Sequence, residues 1–195
     1  MVRAARIERN TSETEVTVEL KLDGQGRATI DTGIGFLDHM LTLFCVHGRF
    51  DLYIKASGDL YVDPHHTVED VALVLGEAVS RALDSRIGIR RYGFAVTPMD
   101  EALAEVVIDL SNRPYLVFQV PLDLTAPGQF GPGLAKEFFR ALAVKGGMNL
   151  HINVRYGENE HHVIEAMFKS VGRALNQAVA MASDQTGVRS SKGIL

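Results

Sequence analysis

Two hydrophobic rhythms alternate along the chain, and they recur in the same order twice. Glu15–Leu22 carries apolar residues at every second position, the period of a half-buried strand. Asp23-Gly24-Gln25-Gly26 then reads as a hairpin turn into a further strand, Arg27–Ile30. Phe36–Val46 changes to helical spacing and Leu52–Ala56 returns to a strand. His66–Leu83 is an amphipathic helix with Val68, Val71, Ala72, Leu75 and Val79 on one stripe. Beyond it the pattern predicts strands at Gly93–Pro98, Ala102–Leu110 and Tyr115–Gln119 and a helix at Leu134–Val144. A strand at Asn149–Arg155 and a last helix from about His162 to Ala182 follow.

The recurrence is visible in the residues themselves. A shift of 96 lays His65-His66-Thr67-Val68-Glu69 on His161-His162-Val163-Ile164-Glu165, and Gly76 on Gly172. Upstream a shift of 98 lays Gly33-Ile34-Gly35-Phe36 on Gly131-Pro132-Gly133-Leu134, and sets His39 against Glu137. The expected fold is therefore α+β and internally duplicated, each half a small, mostly antiparallel sheet with two helices on one face. The first repeat is expected over residues 1–90 and the second over 91–195.

The chemistry gathers in these repeats. Five of the seven histidines, His39, His65, His66, His161 and His162, lie in them. In each double-histidine segment the glutamate, Glu69 or Glu165, follows the first histidine by four residues and the second by three, so they share one side of a helix start. A helix-borne histidine and glutamate one turn apart can hold a divalent metal. Adjacent histidines diverge by about 100° on a helix, so each pair reaches two ions, or one ion each across an interface. With His39 and Glu137, the donors suffice for two ions with positions left for substrate. Mixed imidazole and carboxylate ligation suits Mn, Fe, Zn or Co, and the donors alone do not choose among them. There is no HExxH, no Walker A loop and no dinucleotide-binding glycine pattern.

Composition narrows the class. The 195 residues are 46 % apolar and 23 % charged, as in an ordinary globular protein, and the net charge of −4 argues against wholesale binding to nucleic acid. The N-terminal stretch MVRAARIERN has no apolar segment of signal-peptide length, and no apolar run is long enough for a membrane span. The single cysteine, Cys45, suits a core position in a reducing compartment. A cytoplasmic protein is the expectation. A hydrolase using metal-bound hydroxide, and a non-catalytic assembly protein with a structural metal, remain open on this chemistry alone.

Several segments resemble the imidazoleglycerol-phosphate dehydratase family. They are Arg9-Asn10-Thr11-Ser12-Glu13-Thr14, Gly33-Ile34-Gly35-Phe36-Leu37-Asp38-His39-Met40 and Asp63-Pro64-His65-His66-Thr67-Val68-Glu69-Asp70. Pro98-Met99-Asp100-Glu101-Ala102, Asp109-Leu110-Ser111-Asn112-Arg113-Pro114, His161-His162-Val163-Ile164-Glu165-Ala166 and Ser190-Ser191-Lys192-Gly193 continue the match in order. The resemblance implies dehydration of imidazole glycerol phosphate to imidazole acetol phosphate in histidine biosynthesis. It implies two Mn²⁺ per site and sites lying between the subunits of a 24-subunit shell built from trimers. His39, His65, His66, Glu69, His161, His162 and Glu165 would then be metal ligands. Glu137 joins them as a carboxylate where some members carry histidine. Glu13 would be an acid/base group, with Glu165 and Glu69 as further catalytic carboxylates. Arg91, Arg113, Lys169, Ser190 and Lys192 would hold the phosphate, with Asp100 close to the substrate. The substrate's C–H bond has no carbonyl to acidify it, so the expected chemistry runs through a metal-bound imidazolate and an acid/base carboxylate.

Overall fold

The structure, a computed structural model, describes residues 2–120, 130–182, 187–193 and 195. The first half runs β1 (Ala4–Asn10), β2 (Thr14–Lys21), β3 (Ala28–Asp31), α1 (Gly35–Gly48), β4 (Asp51–Gly58) and α2 (His65–Leu83). The second repeats that order: β5 (Tyr92–Met99), β6 (Ala102–Asp109), β7 (Tyr115–Gln119), α3 (Pro132–Gly146), β8 (Asn149–Tyr156) and α4 (Glu160–Val179). The sheets have matching orders, β1-β2-β4-β3 and β5-β6-β8-β7. In each, two pairings are antiparallel and the last, β3 with β4 or β7 with β8, is parallel. The chain is thus α+β with two similar halves.

Alternation decides which face is covered. Val16, Val18 and Leu20 of β2 and Leu150, Ile152 and Val154 of β8 point into the core, while Glu15 and Glu19 point out. The helices lie between the two sheets. α1 and α2 pack on the first sheet, α3 and α4 on the second, and the halves meet as α1 against α4 and α2 against α3. These crossings are close because glycine occupies them. A Cβ on Gly172 would lie 2.5 Å from the Phe44 carbonyl oxygen, and one on Gly76 would lie 2.8 Å from that of Leu142. The two glycines that the repeat pairs are therefore points where the helices of the two halves touch backbone to backbone. Gly172→Ala is expected to cost roughly 1–3 kcal/mol by overpacking, with roughly 2–4 °C of Tm lost per kcal/mol. Calorimetry checks this, and an unchanged Tm would mean that α1 and α4 can part without cost.

Three features differ from the sequence pattern. The segment 23–26 is not a hairpin turn, because β2 and β3 are not neighbours. β4 lies between them. Gly26 N–H instead bonds the Phe50 carbonyl at 2.8 Å and Gln25 N–H bonds Asp51 Oδ1 at 2.7 Å, so the segment wraps the start of β4. β1 is an additional strand, hidden from the pattern because it is an edge strand with no residue fully buried. The last helix stops at Val179 rather than Ala182. Ala180 is extended, its carbonyl accepts from Arg90 N–H at 2.8 Å, and Met181 bridges Ile89, so the chain folds back on the entrance to β5.

Candidate active site

The topology gathers the helix starts. β3 and β4 are parallel, and each leads into a helix, so α1 and α2 begin at the same end of the first sheet. α4 begins just after β8, and its start meets that of α1. The Asn159 side chain caps α4 by accepting from His161 N–H and His162 N–H at 2.9 and 3.4 Å.

At this end three donors converge. Glu165 Oε2 lies 3.3 Å from His39 Nε2 and 3.2 Å from His161 Nε2, and the three ligand atoms fall within 4.8 Å of one another. Phe36 meets the His161 ring edge-on at 5.0 Å. Glu165 is only 5 % exposed. Burial opposes its charge, yet Lys169 Nζ at 2.5 Å and the two imidazoles more than offset that, and its carboxyl titrates below the ordinary range. Two imidazole nitrogens and a carboxylate oxygen in this space fit one divalent cation. An ion that takes more than three ligands would keep positions for a substrate.

The repeat-related corner holds His65, Glu69 and Glu137. His65 Nε2 is 4.0 Å from Glu69 Oε2, and Arg140 reaches both Glu69 at 2.8 Å and Glu137 at 2.7 Å. The hydrogen bond from Arg140 to Glu137, with the nearby charge of Glu69, raises the guanidinium pKa. The two double-histidine segments do not meet each other among the described residues. Each meets a helix of the other half.

The second histidine of each pair turns away, as helical spacing requires. The rings of His65 and His66 stand 6.1 Å apart at 89°, and those of His161 and His162 stand 6.1 Å apart at 83°. His66 Nδ1 meets Asp59 Oδ2 at 3.0 Å with Glu13 Oε2 at 3.8 Å. His162 Nδ1 meets Glu101 Oε2 at 2.6 Å, and its Nε2 lies 3.9 Å from Asp100. Both imidazoles titrate above the usual range, chiefly through the hydrogen bonds they donate to Asp59 and Glu101 respectively. The hydrogen bond with His162, followed by that from Asn159 N–H, holds the Glu101 carboxyl down at about 2. Glu13 sits on a turn that is pinned to α2. Thr11 Oγ1 accepts from Glu13 N–H at 3.1 Å, while Arg9 and Thr14 both bond the buried Asp70.

A cavity of about 410 Å³ lies apart from the histidines, lined by Arg91, Tyr92, Ser111, Asn112, Arg113, Ser190, Ser191, Lys192 and Leu195. The structure thus groups Arg91, Arg113, Ser190 and Lys192, while Lys169 stands with Glu165. Arg91 forks onto Asp109 at 2.6 and 3.0 Å and holds the Arg189 carbonyl at 2.5 Å, so it anchors the tail that forms one wall. Asp109 raises the Arg91 pKa through that hydrogen bond. Sequence reasoning passed over Asp59 and Glu101. The folded strands supply the signal for Glu101: it precedes β6 as Glu13 precedes β2.

Residues 32–175, which include both double-histidine segments, match the family described as Imidazoleglycerol-phosphate dehydratase. The chain belongs to the imidazoleglycerol-phosphate dehydratase family. That family is one of hydro-lyases, and the chain is an enzyme of that class. The imidazoleglycerol-phosphate dehydratase of Desulfosudis oleivorans is 62 % identical over 195 residues, covering 100 % of both chains. That of Syntrophobacter fumaroxidans is 53 % identical over 193 residues, covering 99 % of this chain and 98 % of the other. Among solved structures, the Pyrococcus furiosus enzyme in complex with (S)-C348 superposes with a TM-score of 0.85 at 38 % identity, covering 97 % of this chain and 100 % of that one. The Staphylococcus aureus dehydratase gives 0.82 at 38 % identity, covering 92 % and 99 %.

Proposed function

We propose that this chain dehydrates imidazole glycerol phosphate to imidazole acetol phosphate in histidine biosynthesis, using divalent cations held by the duplicated histidine and glutamate clusters. The observation that carries the reading is the triad of His39, His161 and Glu165, three donors from both halves within 4.8 Å in a chain of this family. His39, His161 and Glu165 would hold one ion, and His65, Glu69 and Glu137 would contribute to another. His66 and His162 face away from these corners and would complete ions on a neighbouring subunit. Two Mn²⁺ per site fit this donor set, and when bound they supply Lewis acidity toward the substrate's imidazole ring.

The chain's own groups do the rest. Glu13 is exposed, its turn is pinned, and its carboxylate stands 3.8 Å from His66, free to exchange a proton with the substrate side chain. Glu165 and Glu69 serve as ligand carboxylates close to the reacting carbon. Arg113, Ser190 and Lys192 grip the phosphate in a cavity whose tail wall Arg91 secures, as guanidinium and ammonium groups do for phosphate. Lys169 and Asp100 would meet the substrate between cavity and clusters. The reading carries with it a cytoplasmic homo-oligomer, 24 subunits built from trimers, with the repeats divided near residues 90 and 91. The half-exposed Phe94, Val96 and Val107 on the outer face of the second sheet support burial against further subunits. Among the described residues, no helix is long and apolar enough to cross a membrane.

Following imidazole acetol phosphate after Mn²⁺-loaded protein meets imidazole glycerol phosphate tests the reading, and loaded protein that forms none overturns it. Deleting residues 190–195 is expected to raise KM roughly 10- to 100-fold, the loss of one or two charge-assisted hydrogen bonds. Metal content should not change. A truncated enzyme with wild-type KM would take the tail out of phosphate binding.

A further inference from the structure

The two halves hold their second histidine from different places. β2 and β6 are equivalent strands, so Glu13 and Glu101, each the residue before its strand, occupy equivalent positions. β4 and β8 are also equivalent, and a register shift between Leu103 and Ala104 sets Gly157 against Gly58 and Glu158 against Asp59. In the first half Asp59 takes the His66 ring at 3.0 Å and Glu13 stands off at 3.8 Å. In the second half Glu158, at the position of Asp59, turns its backbone N–H to Glu101 Oε1 at 3.2 Å. Gly58 and Gly157 fill the same tight place, where a Cβ would lie 2.2 Å from Thr67 Oγ1 or 2.4 Å from Val163 Cγ2. Glu101 takes the His162 ring instead, at 2.6 Å.

The tie between the strand turn and the loop before the helix is exchanged in the same way. In the first half it is backbone to backbone, Asp59 N–H to the Glu13 carbonyl at 3.1 Å. In the second it runs through the side chain, with Glu158 N–H and Asn159 N–H donating to Glu101 Oε1 at 3.2 and 2.8 Å. Glu101 therefore spends one carboxylate oxygen on the loop and the other on the ring. A carboxylate only accepts, so the ring nitrogen facing it carries a proton, and the neutral ring then offers Nε2 as its lone pair.

We infer that Glu101 is a positioning residue that locks His162 with Nδ1 protonated and Nε2 turned to the site. Asp59 does the same for His66, leaving the Glu13 carboxylate free to meet substrate. The inference rests on the reading of His66 and His162 as metal ligands, and the lock on each ring can be measured without metal. In Glu101→Gln the amide oxygen stays with the two backbone N–H groups, so the amide NH₂ faces His162 Nδ1 and drives the proton to Nε2. Solid-state ¹⁵N spectra of histidine-labelled, metal-free protein, recorded well above the ordinary imidazole range, read this tautomer directly. The expected result is one histidine moving from the Nδ1–H to the Nε2–H form in Glu101→Gln and none in Glu77→Gln. Mn²⁺ titration of the same proteins should then show affinity falling roughly 10- to 100-fold in Glu101→Gln alone, with unchanged thermal melting of the metal-free forms. An unmoved tautomer, or wild-type Mn²⁺ affinity in Glu101→Gln, overturns the inference and leaves the metal reading in place. A wild-type protein that takes up no divalent cation, but whose tautomer still moves, overturns the metal reading and upholds the lock.

Discussion

Glu165→Gln is expected to weaken Mn²⁺ binding roughly 100-fold or more, about 2.7 kcal/mol, and to lower turnover at least as far. Even groups that only orient a metal ligand cost 10- to 100-fold when removed, so a direct ligand sits at or beyond the top of that range. Glu165 is the point that joins the triad, since one of its oxygens faces both His39 and His161 while the other takes Lys169. Glutamine keeps the volume in this buried place but loses the charge, so the half-site loses its only carboxylate and Lys169 its partner. Counting free Mn²⁺ by electron paramagnetic resonance during titration measures the affinity. Circular dichroism of the metal-free variant separates loss of a ligand from loss of the fold. An affinity within twofold of wild type would reduce Glu165 to a structural ion-pair partner of Lys169.

Glu13→Gln is expected to behave in the opposite way, with metal content intact and turnover lowered roughly 10²- to 10⁴-fold, the usual worth of a positioned acid or base. Glu13 is exposed and is not part of the triad, so no metal donor is removed there. Its turn is held by Thr11 and by the bonds of Arg9 and Thr14 to Asp70, none of which uses the Glu13 carboxylate. The fold should therefore not register the change. Metal analysis beside steady-state rates distinguishes the two glutamates, and wild-type turnover in Glu13→Gln would exclude it from proton transfer.

The repeat explains why one glutamate can be so expendable to the fold and the other so central. Glu165 and Glu69 lie inside helices, where the i and i+4 spacing to a histidine was legible from the residues alone. Glu13 and Glu101 lie on turns, where no periodicity marks a side chain's direction, and only the folded strands reveal them as counterparts. The shift of 96 paired Gly76 with Gly172, but their service as backbone contacts between halves depends on which helices meet. The false hairpin at 23–26 has the same origin. A turn-rich segment between strands fits a tight hairpin locally, and the insertion of β4 between β2 and β3 is a long-range pairing that local pattern does not contain.

What the sequence by itself determined is the α+β duplication, its helices and most of its strands, and the metal-suited residue types at helix starts. These follow from periods of two and 3.6 residues and from self-similarity, all of them short-range or additive properties. Tertiary structure alone decided that His39 joins His161 and Glu165 rather than its own half's pair, that Arg140 bridges Glu69 and Glu137, and that Asp59 and Glu101 exchange roles. All but the Asp59–His66 contact, seven residues apart, join segments far apart in the chain. Such contacts are set by how two sheets enclose four helices, and the side chains meet only once that packing brings their backbones together.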